Sequence, residues 1–180
     1  VAPQIKQAIY IGDTKHKHKD LEIKKFCWRY NFFQDLPFSQ GDFYKTINRI
    51  FPSSKYILTI RDSDKWFKSL CNFHLIYFRK MGFNFKNITE VKEEHLKKFD
   101  WIKEGYYYDY TKNFWISEIK DNRLIYNWNL LYDKDHYIHV YEKRNKEIQD
   151  YFKKRKEDLL IFNVSENSNI LKILNFLNMK

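Results

Sequence analysis

The chain has 180 residues, a mass of 22.4 kDa and a formal charge of +10, from 33 Lys+Arg against 23 Asp+Glu. That length is enough for a domain with a real core, and 43% hydrophobic with 19% aromatic residues excludes a disordered chain. No apolar run reaches the roughly 18–20 residues of a membrane span, and the first residues lack the apolar stretch of a secretory signal.

In chain order, Gln7 to Gly12 is a short apolar run ending in glycine, the pattern of a buried strand. Asp13 to Asp20 is polar and charged and reads as a loop. Residues 21–33 are mixed and aromatic and match neither period. Pro37 biases Leu36 away from the helical region, which makes Asp35 to Phe38 a turn. Between Asp42 and Phe51, the residues Phe43, Ile47, Ile50 and Phe51 share one helical face, and Pro52 stops that helix. Lys55 to Ile60 is β-branched and apolar, as in a buried parallel strand. Asp62 or Ser63 can cap the following helix, on which Trp66, Leu70, Phe73 and Tyr77 recur at helical spacing as far as Gly82.

Residues 83–131 hold much of the aromatic material, including Tyr106, Tyr107, Tyr108 and Tyr110, in segments expected to be helical. A long amphipathic helix is expected over 136–155, with Val140, Ile148, Tyr151 and Phe152 on its apolar face and a basic last turn. Leu159 to Val164 is another apolar strand. A last helix over about 168–178 presents Ile170, Leu171, Leu174 and Leu177. Strands alternating with helices predict an α/β fold with a mostly parallel central sheet flanked by helices.

The charge alone would point to an acidic or nucleic-acid partner. However, lysine supplies most of the cations, Asn, Ile, Tyr and Phe abound, and alanine occurs only at Ala2 and Ala8. This joint bias reads as drift in an AT-rich coding sequence, so the few arginines are more informative. Acidic residues are interspersed with basic ones throughout, and no nucleic-acid partner is expected. The glycines, Gly12, Gly41, Gly82 and Gly105, are too scattered for a Gly-rich phosphate loop. Cys27 and Cys71 form no C-x-x-C pair and no disulfide scaffold, which favours a reducing, cytoplasmic compartment.

Ligands of an open α/β sheet bind beyond the carboxyl ends of its strands. Arg61 stands at such an end, and its planar guanidinium can grip a phosphate in a bidentate fork. Ser69, eight residues on and about two turns into the next helix, adds a hydroxyl. The plain structural alternative is an ion pair from Arg61 to Asp62, Asp64 or Asp35. His16 and His18 are candidates for a general base, because imidazole titrates near neutrality. Solvated loop histidines are the alternative there, and the flanking lysines oppose a metal ion, so no metal site is expected. His74 falls inside an apolar helix and reads as a hydrogen-bonded core or pocket residue. His136 and His139 read as surface residues at a helix start. The tyrosines of 106–110 line either an acceptor pocket or the core, and the aromatic-rich composition favours core.

The run from Phe51 to Ser69 resembles the strand–turn–helix of the sulfotransferase family. In that family an arginine after the strand, with a serine eight residues later, holds the 3′-phosphate of the donor 3′-phosphoadenylyl sulfate (PAPS). Asp35 to Phe38 resembles the Asp-x-Pro segment of the smaller sulfotransferase-like proteins. Tyr141 to Asn145 with Tyr151 and Phe152, then Leu159 to Phe162, then Phe176 and Leu177, resemble their C-terminal helix, strand and last helix. The likeness covers about residues 30–180. It implies a P-loop NTPase-like sulfotransferase architecture, with Arg61 and Ser69 binding PAPS as co-substrate. The implied reaction is sulfuryl transfer to a hydroxyl or amine, on a small molecule or glycan.

One part of the family pattern is missing from these residues. The family opens with a strand and a P-loop-like turn for the 5′-phosphosulfate, built on helix amides and a basic side chain. Gly12 to Lys15 comes nearest, and Asp13 there would repel the anion. The expectation is therefore one sulfotransferase-like domain over 1–180, with Gln7 to Gly12 as its second strand and the P-loop either upstream of Val1 or lost. An anchor upstream would place the chain in the Golgi instead of the cytoplasm. The alternative function is a non-catalytic relative that binds a nucleotide or a partner.

Overall fold

The computed structural model describes residues 1–3, 6, 20–99, 106–166 and 170–179. In chain order its elements begin with α1 (Asp20–Cys27), α2 (Phe43–Ile50), β1 (Tyr56–Ile60) and α3 (Ser63–Lys80). Then come α4 (Glu93–Leu96), α5 (Tyr106–Tyr110) running into a π turn (Thr111–Trp115), and the strands β2 (Ser117–Lys120) and β3 (Arg123–Tyr126). The chain ends with α6 (Lys134–Tyr151), β4 (Leu159–Asn163) and α7 (Leu171–Phe176). This is a mixed α/β chain that divides into two compact units. One holds Val1–Ser53 with Lys97–Asp109, the other Ser54–Leu96 with Tyr110–Lys180.

The first unit is built on aromatic packing. α1 buries Ile23, Phe26 and Cys27. From Phe26 the rings of Phe33, Phe38 and Phe43 follow at centroid spacings of 6.2, 4.5 and 5.4 Å. Asp35 with φ +52 and a fully buried Pro37 make the expected turn. α2 buries Phe43 and Ile47, as its spacing predicted, together with Tyr44 and Asn48, while Ile50 and Phe51 are half-buried, and Arg49 reaches Asp20 at the start of α1. The strand expected over Gln7 to Gly12 lies outside the described residues.

In the second unit β1 and β4 pair in parallel, in register from Tyr56↔Leu159 to Ile60↔Asn163. The expected parallel pairing is therefore present, but β1 is not buried on both faces. Leu58 is buried, Ile57 is 38% exposed and Thr59 is exposed. A parallel strand is dry on both sides only where helices cover both. Among the described residues Phe152, 1% exposed, packs its ring 4.7 Å from Tyr56, on the Leu58 side. A second difference is the antiparallel β2–β3 pair within a stretch expected to be helical. Asp121 and Asn122 join the strands with φ of +50 and +58, the positive-φ pair that a two-residue hairpin turn demands. Strands of four residues are too short to show an alternating period.

α3 has the most sharply defined ends. Asp62 caps it by accepting from the Lys65 amide at 2.9 Å, and Asp64 and Arg79 with Lys80 complement its dipole. Gly82 at φ +88 stops it, with the Phe83 amide bonding back to the Phe78 carbonyl at 3.0 Å. Asp62→Ala should lower stability in urea denaturation by about 1 kcal/mol, the usual cost of losing such a cap. Its buried face differs from the expected stripe. Cys71, His74 and Phe78 are buried, while Phe73 is 44% exposed. The helix carries apolar residues on two faces, and spacing alone cannot choose between them.

α6 starts at Lys134, capped by Asp133 through the His136 amide at 2.8 Å, and ends at Tyr151. Its last turn is not basic: Lys153 to Lys156 follow the helix rather than finish it. Arg155 lies over the rings of Tyr151 and Phe152 at 5.4 and 5.3 Å. No helix among the described residues is long and apolar enough to cross a membrane.

Candidate functional site

β1 and β4 end side by side, with the Val164 amide bonded to the Ile60 carbonyl at 2.8 Å, so Arg61 leaves the sheet at a shared carboxyl edge. At this edge of β4 the Asn163 side chain accepts from the Ser165 amide at 3.0 Å and donates to Glu166 at 2.8 Å. The turn after β1 is one residue long before Asp62 caps α3. The Arg61 side chain is thus launched from rigid backbone on both sides.

That side chain is half-buried, and its Nε is buried with no hydrogen-bond partner among the described residues. The proposed ion pairs do not form in this unit. The Asp62 carboxylate caps α3, and Asp64 pairs with Lys134 of α6. A buried donor on a permanently charged group is costly unless an acceptor meets it, so the geometry suits an incoming anion. Ser69 is exposed on α3. It lies seven residues beyond Asp62 and three beyond Trp66, which puts all three on one helical face. No side-chain hydrogen bond joins Ser69 to Arg61 among the described residues. His16 and His18 lie outside the described residues.

Helix α6 holds the turn by three side chains. The Tyr141 hydroxyl accepts from the Arg61 amide at 3.1 Å, the Ser63 hydroxyl donates to Glu142 at 2.6 Å, and Lys134 pairs with Asp64. The Tyr141 ring stacks on Trp66 at 4.2 Å and 11°. Trp66 also stacks on Trp115, which stacks on Tyr137, and Tyr137 stacks on Tyr132. Neither Tyr141 nor Glu142 has a role that spacing reveals, since each meets its partner across about 80 residues.

Beside this stack an open cavity of about 770 Å³ is lined by Phe67, Ile88, Val91, Trp128, Leu131 and Tyr132, with Lys92 and Lys134 among its polar residues. Its size falls in the range of small-molecule sites. Of the tyrosines whose side chains are described, none of Tyr107, Tyr108 and Tyr110 is in its lining. Tyr107 is instead buried with its ring 4.5 Å from Phe99, a core position.

Among the described histidines, His74 and His136 make hydrogen-bonding contacts inside the fold. His74 is buried, its Nδ1 lies 3.0 Å from the Tyr132 hydroxyl, and burial pushes its pKa down to about 3. His136 is half-buried with Nε2 2.6 Å from the Trp115 carbonyl, while His139 is exposed. Cys27 and Cys71 are unbridged, and burial raises their thiols to about 12 and about 11, which leaves them inert at neutral pH.

Against known families, the sequence model of the sulfotransferase domain matches residues 2–180. No curated protein and no solved structure matches the chain. The match extends the likeness carried by the motifs, which begins near residue 30, to almost every residue given. With this match and an arginine held at the carboxyl edge of a parallel strand pair, the chain belongs to the sulfotransferase family.

Proposed function

We propose that this chain binds PAPS through its 3′-phosphate and transfers the sulfuryl group to a hydroxyl or amine acceptor. The observation that carries the reading is the buried Nε of Arg61 at the end of β1, which has no hydrogen-bond partner among the described residues. A 3′-phosphate there supplies the missing acceptors and the countercharge, and a guanidinium matches it in a two-point fork. Ser69, on the face of α3 that carries Asp62 and Trp66, adds a hydroxyl to the same anion. The cavity beside Phe67 and Trp128 receives the acceptor in this reading.

In the transfer an acceptor oxygen or nitrogen bonds to sulfur as the bond from sulfur to the 5′-phosphate oxygen breaks, and adenosine 3′,5′-bisphosphate leaves. The acceptor proton passes to a base, for which His16 and His18 are the candidates in the sequence, since imidazole is the commonest general base. In this reading Arg61 and Ser69 of the second unit supply position, and Glu93 and Asp133 in the lining of the cavity are carboxylates that could take the proton instead. Arg61 fixes one end of the donor, so the reacting end is presented at one distance and angle. The P-loop NTPase-like architecture and the single-domain organisation belong to the same proposal.

A second reading, binding without transfer, rests on the scatter of the four glycines, which leaves no Gly-rich loop for the 5′-phosphosulfate within these residues. Calorimetric titration tests the donor site common to both. Adenosine 3′,5′-bisphosphate should bind at least tenfold more tightly than adenosine 5′-monophosphate, since a tenfold ratio needs only about 1.4 kcal/mol from the extra phosphate. Equal affinities, or no saturable binding, would remove the donor site. Release of labelled sulfate onto an acceptor separates the enzyme from the non-catalytic relative.

A further inference from the structure

We infer that Tyr141 is a positioning residue for the anion site at Arg61, and that Trp66 is present in the Arg61–Ser69 motif to hold Tyr141 in place. The inference rests on the donor-site reading and adds residues to it. Arg61 follows the last ladder pair of the sheet, Ile60↔Asn163, so the strand pairing offers its amide no carbonyl. The Tyr141 hydroxyl takes that place, accepting from the Arg61 amide at 3.1 Å and lying 3.5 Å from its carbonyl oxygen. One hydroxyl thereby meets both ends of the residue whose side chain must aim at the ligand.

The hydroxyl is itself held firmly. The Tyr141 ring lies 4.2 Å from Trp66 and nearly parallel to it. Trp66 is backed by Trp115 at 5.6 Å, and Trp115 by Tyr137 at 4.6 Å. Tyr137 is 1% exposed and belongs to α6, the helix of Tyr141. The four rings of this column, from Tyr141 to Tyr137, therefore begin and end on one helix with Trp66 of α3 between them, and the stack continues to Tyr132. Aromatic stacks of this kind fix ring position at small entropic cost, since each ring has only two side-chain torsions. Glu142 on Ser63 and Lys134 on Asp64 tie the same two helices beside the column.

A long cationic side chain gains most from a fixed root. Once Arg61's backbone is free to rotate, the guanidinium samples positions in which the fork no longer meets two phosphate oxygens, and affinity falls although every ligand-touching atom remains. Tyr141→Phe keeps the ring and the stack and removes only the hydroxyl. It should weaken binding of adenosine 3′,5′-bisphosphate roughly tenfold, the loss of one oriented charge-assisted contact, and leave adenosine 5′-monophosphate unchanged.

The test is calorimetric titration of wild type, Tyr141→Phe and Trp66→Leu with both nucleotides. Selective loss of the 3′-phosphate preference in both variants, with thermal midpoints recorded alongside, is the expected result. A purely structural tyrosine would lower the midpoint and leave the ratio of the two affinities as it was, which overturns the inference alone. If wild type shows no preference for the 3′-phosphate, the donor-site reading fails and this inference with it. Should Tyr141→Phe not fold, Trp66→Phe, which retains a ring under Tyr141, takes its place and is expected to show a smaller loss of the same preference. An unchanged preference there overturns the inference.

Discussion

Arg61→Ala should reduce affinity for adenosine 3′,5′-bisphosphate by roughly a hundredfold while the free protein melts within a few degrees of wild type. The first half follows from losing a two-point, charge-assisted contact, worth about 2–4 kcal/mol when both bonds go. The second half follows from the buried Nε, which has no partner to lose among the described residues. Removing it relieves a desolvation cost of about 1–3 kcal/mol and forfeits the packing of the aliphatic stem, so the two effects largely cancel. Arg61→Lys keeps the charge and loses the fork, and should fall between, about tenfold weaker than wild type. Calorimetry and a thermal melt on the same samples distinguish the readings. A variant that binds normally, or one that melts far below wild type, returns Arg61 to the role of a structural ion.

His74 sets the second large effect, on stability. Its unfolded value is near 6.5 and burial holds it at about 3 in the fold. Between those limits the unfolded chain carries a proton that the native chain refuses, so stability rises with pH. The full stability is present above pH 6.5 and is lost as pH falls toward 3, at up to about 1.4 kcal/mol per unit. At pH 5 this amounts to about 2 kcal/mol, a large fraction of a typical domain's margin. His74→Gln retains a hydrogen-bonding group for the Tyr132 hydroxyl and cannot titrate. Urea denaturation at pH 7.5 and pH 5 should therefore show wild type losing about 2 kcal/mol more than this variant. Parallel losses would mean that the imidazole is protonated in the native state.

The frame of the site was legible because its signals are local. The apolar run of β1, the cap at Asp62 and the left-handed Gly82 each lie within a few residues of what they control. The type and direction of the β1–β4 pairing were legible as well, since helices separate the strands. What escaped had either too little length or too much separation. α1 spans eight residues, about two turns, too few for a period to emerge from mixed aromatics. The hairpin's strands are shorter still. On α3 two apolar faces compete, and the choice of Cys71, His74 and Phe78 over Phe73 depends on partners such as Tyr132. Tyr141 was visible as part of a resemblance, but its bond to the Arg61 amide joins residues 80 apart, which no spacing rule reaches.

The register that frames Arg61 also fixes when the site comes into being. β1 meets β4 roughly a hundred residues further along, so the pairing closes one of the longest loops in the chain and carries its entropy cost late in folding. During synthesis the segment from Phe51 to Ser69 emerges complete, with its apolar strand Tyr56–Ile60, well before Leu159 to Asn163 can shield that strand's edge. A product halted in between would carry every residue of the recognisable motif and none of the geometry that makes it a binding site.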